Sequence, residues 1–263
     1  MLVDSHCHLD FPDFADELDA VIARARAAGV ARIVTISTRV ARHDQVMAIA
    51  NRYDDVYCSV GTHPHNAKEE EGVTVADLVT RARHPKVVAI GEAGLDYHYD
   101  HSPRAIQELS FRRHIAAARE TGLPLVIHTR DADADTARIL REESRQGPFR
   151  AVLHCYTGGR ELARTGIDLG FYVSFTGILT FKKSDDLRAI AASLPGDRIL
   201  LETDAPYLAP GKYRGKRCEP AYVVETAKVL AEVRRTQFED VARQTTENFF
   251  RLFTKVPHPD FAA

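Results

Sequence analysis

Eight short apolar runs, each followed by a segment with helical periodicity, restrict the fold of this sequence more than any other feature. The runs are Leu2–Asp4, Arg32–Ile36, Val56–Val60, Val87–Gly91, Leu125–His128, Ala151–His154, Phe171–Phe175 and Ile199–Glu202. Continuous apolar strands that alternate with amphipathic helices are typical of a parallel sheet covered by helices. Eight such units in 263 residues predict an α/β fold, the (β/α)8 TIM barrel. A doubly wound open sheet is the competing architecture.

The C-terminal part of the sequence predicts one helix more than the barrel needs. Pro220–Arg235 reads as the last barrel helix, and Gln237–Phe253 adds another with its own apolar face. No Pro-, Gly- or Ser-rich linker or internal repeat divides the chain. The composition, 44% apolar and 27% charged, is that of a globular protein. We therefore expect a single barrel domain over residues 1–256 and a short frayed tail over 257–263.

Charge and cysteine content limit the partners and the cellular compartment. The 35 Lys+Arg and 37 Asp+Glu residues give a net charge of -2, which argues against wholesale binding of nucleic acid but allows a local basic patch. Four scattered cysteines without a C-x-x-C pair suggest reduced thiols. No segment resembles a signal peptide or membrane span, so we expect a cytoplasmic protein without a membrane partner. The oligomeric state is not predicted, and a monomer is compatible with the sequence.

Histidines and acidic residues occupy the ends of five of the eight predicted strands. The six are His6 and His8 on the first strand, Glu92 on the fourth, His128 on the fifth, His154 on the sixth and Asp204 on the eighth. In a barrel the C-terminal ends of all strands converge on one mouth, where the active site lies. We therefore expect these side chains to share one cavity.

Imidazoles and carboxylates together suit a divalent transition-metal site. Six ligands are enough for two ions that share a bridging carboxylate. Each residue alone is weak evidence, because a histidine at a strand end is more often a hydrogen-bonded core residue, and Asp204 before Ala205-Pro206 is typical of a turn or a helix cap. Their joint occurrence at the strand ends nevertheless favours a metal centre.

The chain resembles the TatD-type metal-dependent deoxyribonucleases of the amidohydrolase superfamily. The matching segments are Asp4–Leu9 with its H-x-H pair, Gly61–His65, Gly91–Tyr97, Pro124–Arg130, His154–Tyr156, Glu202–Tyr207 and Tyr213–Pro220. They cover nearly the whole chain in the family's order. One departure is Cys218, which stands where the family pattern leads us to expect Asn; the substitution touches no proposed ligand.

The resemblance implies a ligand set and a reaction. His6, His8, Glu92 and Asp204 would hold one metal ion. Glu92, His128 and His154 would hold the second, with Glu92 as the bridge. The implied reaction is hydrolysis of DNA phosphodiester bonds, trimming single strands from the 3′ end. We expect Glu92 and Asp204 to be the catalytic residues, Asp204 being both ligand and general base.

The identity of the metal ions follows less directly. Four histidines among six ligands favour Zn, Mn, Fe or Co over Mg on ligand softness, whereas the resemblance suggests Mg-supported activity. We expect two divalent ions per subunit, with Mg or Mn in use and Zn, Fe or Co as alternatives.

Several positions near the predicted mouth are candidates for binding a nucleic-acid substrate. They are His63 and His65 after the third strand, Arg130 after the fifth, and Arg214, Lys216 and Arg217 in a basic loop after the eighth. Arginine forks suit phosphate oxygens, and cations beside aromatic rings suit single strands. Each has a plain alternative: a salt bridge for Arg130, hydrogen bonding behind the ligands for the histidines, and a solvated charged face for the loop.

Two rival functions remain open at this point. A metal-dependent hydrolase of this type could cleave an ester or amide, for example as a D-aminoacyl-tRNA deacylase. A protein of another class, a non-catalytic metal-binding quality-control partner, would also keep metal ligands. The basic loop favours a phosphate-bearing substrate, and single-stranded DNA is the partner we expect.

Overall fold

A computed structural model of the protein describes residues 1–258, which contain eight strands and nine α-helices. The strands are β1 (Leu2–Cys7), β2 (Val30–Thr35), β3 (Val56–Val60), β4 (Val87–Asp96), β5 (Leu125–Arg130), β6 (Ala151–Leu153), β7 (Tyr172–Phe175) and β8 (Ile199–Leu201). The helices are α1 (Leu18–Ala27), α2 (His43–Arg52), α3 (Val75–Ala82), α4 (Arg104–Thr121), α5 (Asp133–Gln146), α6 (Arg160–Asp168), α7 (Asp185–Ser193), α8 (Val223–Arg234) and α9 (Phe238–Leu252).

The strands form one parallel sheet in sequence order, β1 to β8, and its two edges meet. Cys7 bridges to Ala205, the Asp204 N–H donates to the His6 carbonyl at 2.9 Å, and the His8 N–H donates to the Ala205 carbonyl at 2.7 Å. A closed sheet wrapped by helices is the TIM barrel that the sequence predicts. The open-sheet alternative is therefore wrong.

A buried carboxyl group joins the first and last strands of the barrel. Asp4 has no exposed surface and accepts hydrogen bonds from the Thr203 N–H at 2.9 Å and the Thr203 hydroxyl at 2.5 Å. Burial raises the pKa of Asp4 to about 8. On the same seam, the Ser5 hydroxyl donates to the Leu201 carbonyl at 3.0 Å. These bonds hold the segment after β8 against β1, where the predicted ligands lie.

The extra C-terminal helix closes the end of the barrel opposite the mouth. Phe249, Phe250 and Phe253 of this helical region belong to the same buried cluster as inward residues of the strands, such as Val3 and Val88. The amide of Asn248 donates to the carbonyls of Gly196 and Ile199 at 2.8 and 2.9 Å. The helix is therefore anchored to the chain that leads into β8.

Strand β4 extends beyond the predicted end, so that Glu92 lies within a strand rather than at its end. The pairing with β5 shifts register between Ile90 and Ala93. Gly94 permits the close approach after this shift: its φ is +151°, and a Cβ atom there would lie 1.9 Å from the His128 carbonyl oxygen. An apolar run in the sequence cannot reveal such a register shift, because the residues between Ile90 and Ala93 are not apolar.

Two other expectations differ in detail. The apolar periodicity of Leu109–Thr121 predicts a helix over those residues, and in the structure this helix, α4, begins earlier, at Arg104. Of the predicted tail, Pro257 and His258 are described: the Pro257 carbonyl accepts from Arg32 at 3.5 Å, and the His258 ring lies 4.4 Å from that of Phe250. The remainder of the tail, 259–263, lies outside the described residues. Within residues 1–258, no helix has the length and apolar character needed to cross a membrane.

Candidate metal centre

The Glu92 carboxylate lies at the centre of the predicted donors, and its two oxygens face different histidines. Oε2 is 3.5 Å from His6 Nε2 and 3.9 Å from His8 Nε2. Oε1 is 2.8 Å from His128 Nδ1 and 2.7 Å from His154 Nε2. The side chain is 2% exposed. This one carboxylate therefore divides the four histidines into two pairs.

Asp204 completes the first pair. Its Oδ1 lies 3.5 Å from His6 Nε2 and 3.4 Å from His8 Nε2, and these two nitrogens are 3.2 Å apart. The Asp204 side chain is 15% exposed, so it is the carboxylate that solvent reaches. Its backbone has a φ of +56°, a conformation that aspartate tolerates better than most residues.

The outer hydrogen bonds of three histidines fix which ring nitrogen faces the cluster. His8 Nδ1 donates to the Ile36 carbonyl at 3.3 Å, and His154 Nδ1 donates to Glu202 Oε1 at 3.3 Å. His128 Nε2 lies 3.1 Å from Asp96 Oδ2. A neutral imidazole carries one N–H. The opposite nitrogen of each ring therefore presents a lone pair toward Glu92, the arrangement found in histidines that bind metals.

His63 lies close to the same carboxylate but turns its N–H, not a lone pair, toward the cluster. His63 Nε2 is 3.5 Å from Glu92 Oε1, and these atoms together with His128 form a geometrically possible ion site. However, His63 Nδ1 accepts a hydrogen bond from the His65 N–H at 3.1 Å. The proton of the neutral ring is therefore on Nε2, which makes His63 a hydrogen-bond donor toward the cluster rather than a ligand.

Burial and neighbouring charges set the ionisation of the two carboxylates. Without metal ions, the histidine rings can also take up a second proton, on the nitrogen that faces the cluster. Burial alone raises the pKa of Glu92, but the charge of a protonated His154 and the hydrogen bonds that protonated His128 and His154 donate hold that pKa well below its ordinary value. Burial is likewise outweighed at Asp204, whose pKa is lowered by the hydrogen bond from protonated His8 and the charge of His6. Both groups are thus carboxylates at neutral pH, as metal binding and proton acceptance require.

The donor chemistry fits two divalent ions. His6, His8, Glu92 and Asp204 form one set of four donors, and Glu92, His128 and His154 form a set of three. Three of the four imidazoles aim a lone pair inward, and the remaining ring, His6, has a buried Nδ1 without a hydrogen-bond partner among the described residues. Two carboxylates facing four imidazoles are what nitrogen- and oxygen-binding metals need.

Two acidic residues lie behind the histidines; sequence reasoning makes Asp96 a candidate for this role, with a turn acid as the alternative, but misses Glu202. Glu202 contacts His154, and also accepts from the Cys155 N–H at 2.6 Å. Asp96 contacts both His128 and His65, the latter at 2.9 Å. Both residues lie within segments that match the family, but only the side-chain positions show that Glu202 orients His154 and that Asp96 orients His128.

Arg130 is free to meet a phosphate group. Its guanidinium lies 4.8 Å from the centre of the Tyr99 ring and has no ion pair among the described residues. Asp131 is paired with His98 at 2.9 Å, and Asp133 accepts from the Gly159 N–H at 2.7 Å. The salt-bridge alternative for Arg130 is therefore not observed.

The predicted basic loop divides into free and engaged cations. Arg214 lies over the Phe181 ring at 4.0 Å, and neither it nor Lys216 forms an ion pair within the described residues. Arg217, by contrast, is 2.9 Å from Glu17 and 3.7 Å from Glu219 and donates to the Asp13 carbonyl at 2.6 Å. These bonds give Arg217 a structural role, so it is the weakest of the predicted substrate-binding residues.

The remaining departures from expectation concern His65 and Cys218. His65 contacts Asp96, which is the hydrogen-bonding alternative considered for it. Cys218 is buried, and its N–H donates to the Pro206 carbonyl at 2.9 Å. This bond, between backbone atoms, does not depend on the side chain at 218.

Comparisons with known proteins identify the family of the chain. Residues 3–254 match the family described as TatD related DNase. The chain belongs to this family. The TatD protein is 43% identical to the uncharacterized metal-dependent hydrolase YcfH of Escherichia coli K12 over 96% of this chain and 95% of that one. It is 42% identical to the uncharacterized metal-dependent hydrolase YabD of Bacillus subtilis over 96% and 99%.

Two further likenesses bear on the activity and the fold of this TatD protein. A relative in Klebsiella pneumoniae, 34% identical over 96% of this chain and 97% of its own, is named a 3′-5′ ssDNA/RNA exonuclease. The crystal structure of YJJV, a TatD homologue from E. coli K12, superposes with a TM-score of 0.90 at 30% identity, covering 97% of this chain and 98% of that one. The chain is accordingly a metal-dependent hydrolase of this family.

Proposed function

We propose that this TatD protein hydrolyses phosphodiester bonds at the 3′ end of single-stranded DNA, with two divalent ions held by the six donors. The observation that carries the proposal is the division of the histidines by Glu92, whose Oε2 faces His6 and His8 and whose Oε1 faces His128 and His154. A bridging carboxylate of this kind is typical of paired metal sites that clamp a phosphate during displacement.

The ions, when bound, supply the acidity that activates water and the positive charge that neutralises phosphate oxygens. Asp204 would accept the proton of the attacking water, because it is ionised at neutral pH and is the more exposed of the two carboxylates. Glu92 is buried and surrounded by histidines, so its task is to hold both halves of the donor set together.

Two further side chains would act on the phosphate itself. His63 presents an N–H toward the cluster, so it would donate to a phosphate oxygen or to the leaving oxygen. Arg130 has no ion pair among the described residues, and its planar fork suits two phosphate oxygens. An uncharged ester or lactone would offer Arg130 no phosphate to bind, which favours a phosphate-bearing substrate. Mg or Mn is the working ion we propose.

The test uses metal-stripped protein and a single strand of DNA labelled at its 5′ end. Mg, Mn and Zn are restored one at a time, and products are separated by length. Glu92→Ala is the variant that should lose activity, and Glu71→Ala is a control that removes a surface carboxylate paired with Lys68. We expect a metal-dependent ladder that shortens from the 3′ end with the wild type and with Glu71→Ala.

Loss of the bridging carboxylate should cost several kcal/mol of barrier, or about a thousand-fold in rate. Near-normal turnover by a metal-loaded Glu92→Ala protein would refute the site assignment. Absence of cleavage with every ion, despite confirmed loading of the wild type, would refute the nuclease proposal. Release of an amino acid from aminoacyl-tRNA by the same loaded protein would then identify the bond as a carboxylic ester.

A further inference from the structure

Four exposed cations on the loops after β7 and β8 lack ion pairs within the described residues. They are Lys182, Lys183, Arg214 and Lys216. Most other arginines and lysines of the protein contact carboxylates or backbone carbonyls; in the same β8 loop, Lys212 is 2.9 Å from Glu225 and Arg217 contacts Glu17. Lys182 and Lys183 were not singled out by sequence reasoning, because two adjacent lysines in a loop are an ordinary pattern.

The two loops are joined, so the four cations lie on one surface. The guanidinium of Arg214 lies over the Phe181 ring at 4.0 Å, and the Gly211 N–H donates to the Thr180 hydroxyl at 2.7 Å. Gly177 brings the loops together as well, because a Cβ atom there would lie 2.3 Å from the Leu208 carbonyl oxygen. Phe181 directly precedes the two lysines.

Nearby acidic residues do not cancel this charge. Asp185 is paired with Arg188 at 2.6 Å. Asp186 lies in the first turn of α7, where the helix dipole favours a negative charge. The four cations are therefore available to an anionic partner, and we refer to Lys182, Lys183, Arg214 and Lys216 together as the basic track.

An exposed aromatic ring lies on the segment that leads from Asp204 into the loop after β8. The Tyr207 side chain follows Asp204 by three residues, and its residue is 55% exposed. Its ring lies 6.1 Å from Phe11, which in turn stacks on His8 at 4.8 Å. A large ring left in solvent beside a polar site is suited to stacking on a nucleobase, which is worth about 1–3 kcal/mol per base, or roughly 5- to 150-fold in affinity.

We propose that the basic track binds the backbone of the single strand leading away from the scissile phosphate, while Tyr207 stacks on a base beside that phosphate. This inference rests on the proposed function and adds a binding surface to it. The bound class is single-stranded nucleic acid, recognised through successive phosphates and one base without sequence readout. The track also explains how a chain with a net charge of -2 can bind a polyanion, since four cations without ion pairs among the described residues lie on two joined loops.

Binding is measured separately from cleavage. A fluorescent oligothymidylate with hydrolysis-resistant phosphorothioate linkages is titrated with metal-loaded protein, and anisotropy is followed from about 50 to about 200 mM salt. For single strands the slope of log affinity against log salt changes by about 0.7 per phosphate contact. Lys182→Gln/Lys183→Gln should therefore lower the slope by about 1.4 and weaken binding at low salt.

The matched control removes the same charge from the opposite end of the barrel. Arg83 and Arg145 are also exposed cations without an ion pair in the described part of the chain, at the ends of α3 and α5. Arg83→Gln/Arg145→Gln should keep the wild-type slope and affinity. Tyr207→Ser should weaken binding about 5-fold or more at every salt concentration with an unchanged slope, and Tyr207→Phe should restore it.

The outcomes separate this proposal from the nuclease proposal. If the track variant and the control variant had equal slopes of log affinity against log salt, the proposed role of the basic track would be refuted even if the protein degrades DNA. A wild type that binds no single strand would overturn it as well. Strong, salt-sensitive binding that is lost in the track variant would support it, even if no ion produced cleavage in the separate ladder assay.

Discussion

Asp96 Oδ2 lies 3.1 Å from His128 Nε2, on the side of the imidazole that faces away from Glu92. This carboxylate keeps the proton of His128 on Nε2 and leaves the Nδ1 lone pair for the proposed ion. Carboxylates behind metal-binding histidines typically contribute 10- to 100-fold in metal affinity. Asp96 is therefore a positioning residue in the proposed centre.

Asp96→Asn should accordingly weaken metal binding by roughly 10-fold or more, because an amide oxygen still accepts the N–H but carries no charge. Metal affinity is measured by competition with a chromophoric chelator. Asp44→Asn, at a carboxylate with a 97% exposed side chain, is the control. Equal metal affinity of the two variants would refute the positioning role of Asp96.

Asp204→Asn should separate proton transfer from metal occupancy. We expect kcat to fall by about 10²–10⁴, because an amide does not accept the water's proton. Five donors remain, so much of the bound metal should be retained, as measured by elemental analysis after gel filtration. A variant that cleaves single-stranded DNA at the wild-type rate would exclude Asp204 as the general base.

Gly94→Ala should destabilise the protein more than a glycine substitution without a steric conflict. A Cβ atom at 94 would lie 1.9 Å from the His128 carbonyl oxygen, at a φ of +151°. Gly170→Ala is the matched control, since its φ is +81° and nothing lies within 4 Å. We expect a loss of about 1–2 kcal/mol for the control and a clearly larger loss at Gly94, measured by urea unfolding.

The stability of the metal-free protein should decrease as pH falls from 6.5 toward 4. Burial lowers the pKa of His114 from 6.5 to about 4, and its Nε2 accepts a hydrogen bond from the Thr62 N–H at 3.0 Å. Between these two pH values the unfolded chain binds a proton that the folded chain excludes. The free energy of unfolding is therefore complete above pH 6.5 and declines below it, by up to about 3 kcal/mol at pH 4.

His114→Gln should reduce this pH dependence. Urea unfolding at a series of pH values in the presence of a chelator measures the effect. Identical pH slopes for the wild type and His114→Gln would contradict the assignment of this transition to His114.

Removal of the ions should lower thermal stability, because a ligand that binds only the folded state stabilises it. At a free metal concentration one hundred times Kd the stabilisation is about 2.7 kcal/mol. Addition of a chelator should therefore lower the unfolding temperature of the wild type, and should have a smaller effect on Glu92→Ala. A chelator-induced shift of the same size in both proteins would place the stabilising ions elsewhere.

The barrel and the gathering of six donors could be predicted from the sequence, because alternating strands and helices place all strand ends at one mouth. His6 and Asp204, which are far apart in sequence, meet for that reason. For His63 and Asp96 the sequence gives candidate roles together with plain alternatives, and it cannot choose between them. These roles depend on which ring nitrogen each imidazole presents, and that is decided by hydrogen bonds to residues elsewhere in the chain.

The basic loop is a second case in which the sequence alone does not predict what each residue contacts. Lys216 and Arg217 are neighbours with the same charge, and no local pattern distinguishes them. Their difference comes from Glu17, which precedes Arg217 by two hundred residues and pairs with it at 2.9 Å. Sequence reasoning finds a charged segment, but the availability of each charge depends on tertiary contacts.

The seam between Asp4 and Thr203 has a consequence for biosynthesis. The proposed centre takes His6 and His8 from the first strand region and Asp204 from the segment after the last, so a ribosome must release most of the polypeptide before the donors can meet. A nascent or prematurely terminated chain carries only a partial set. The complete set of donors for the proposed ions therefore exists only once nearly the whole chain has been made.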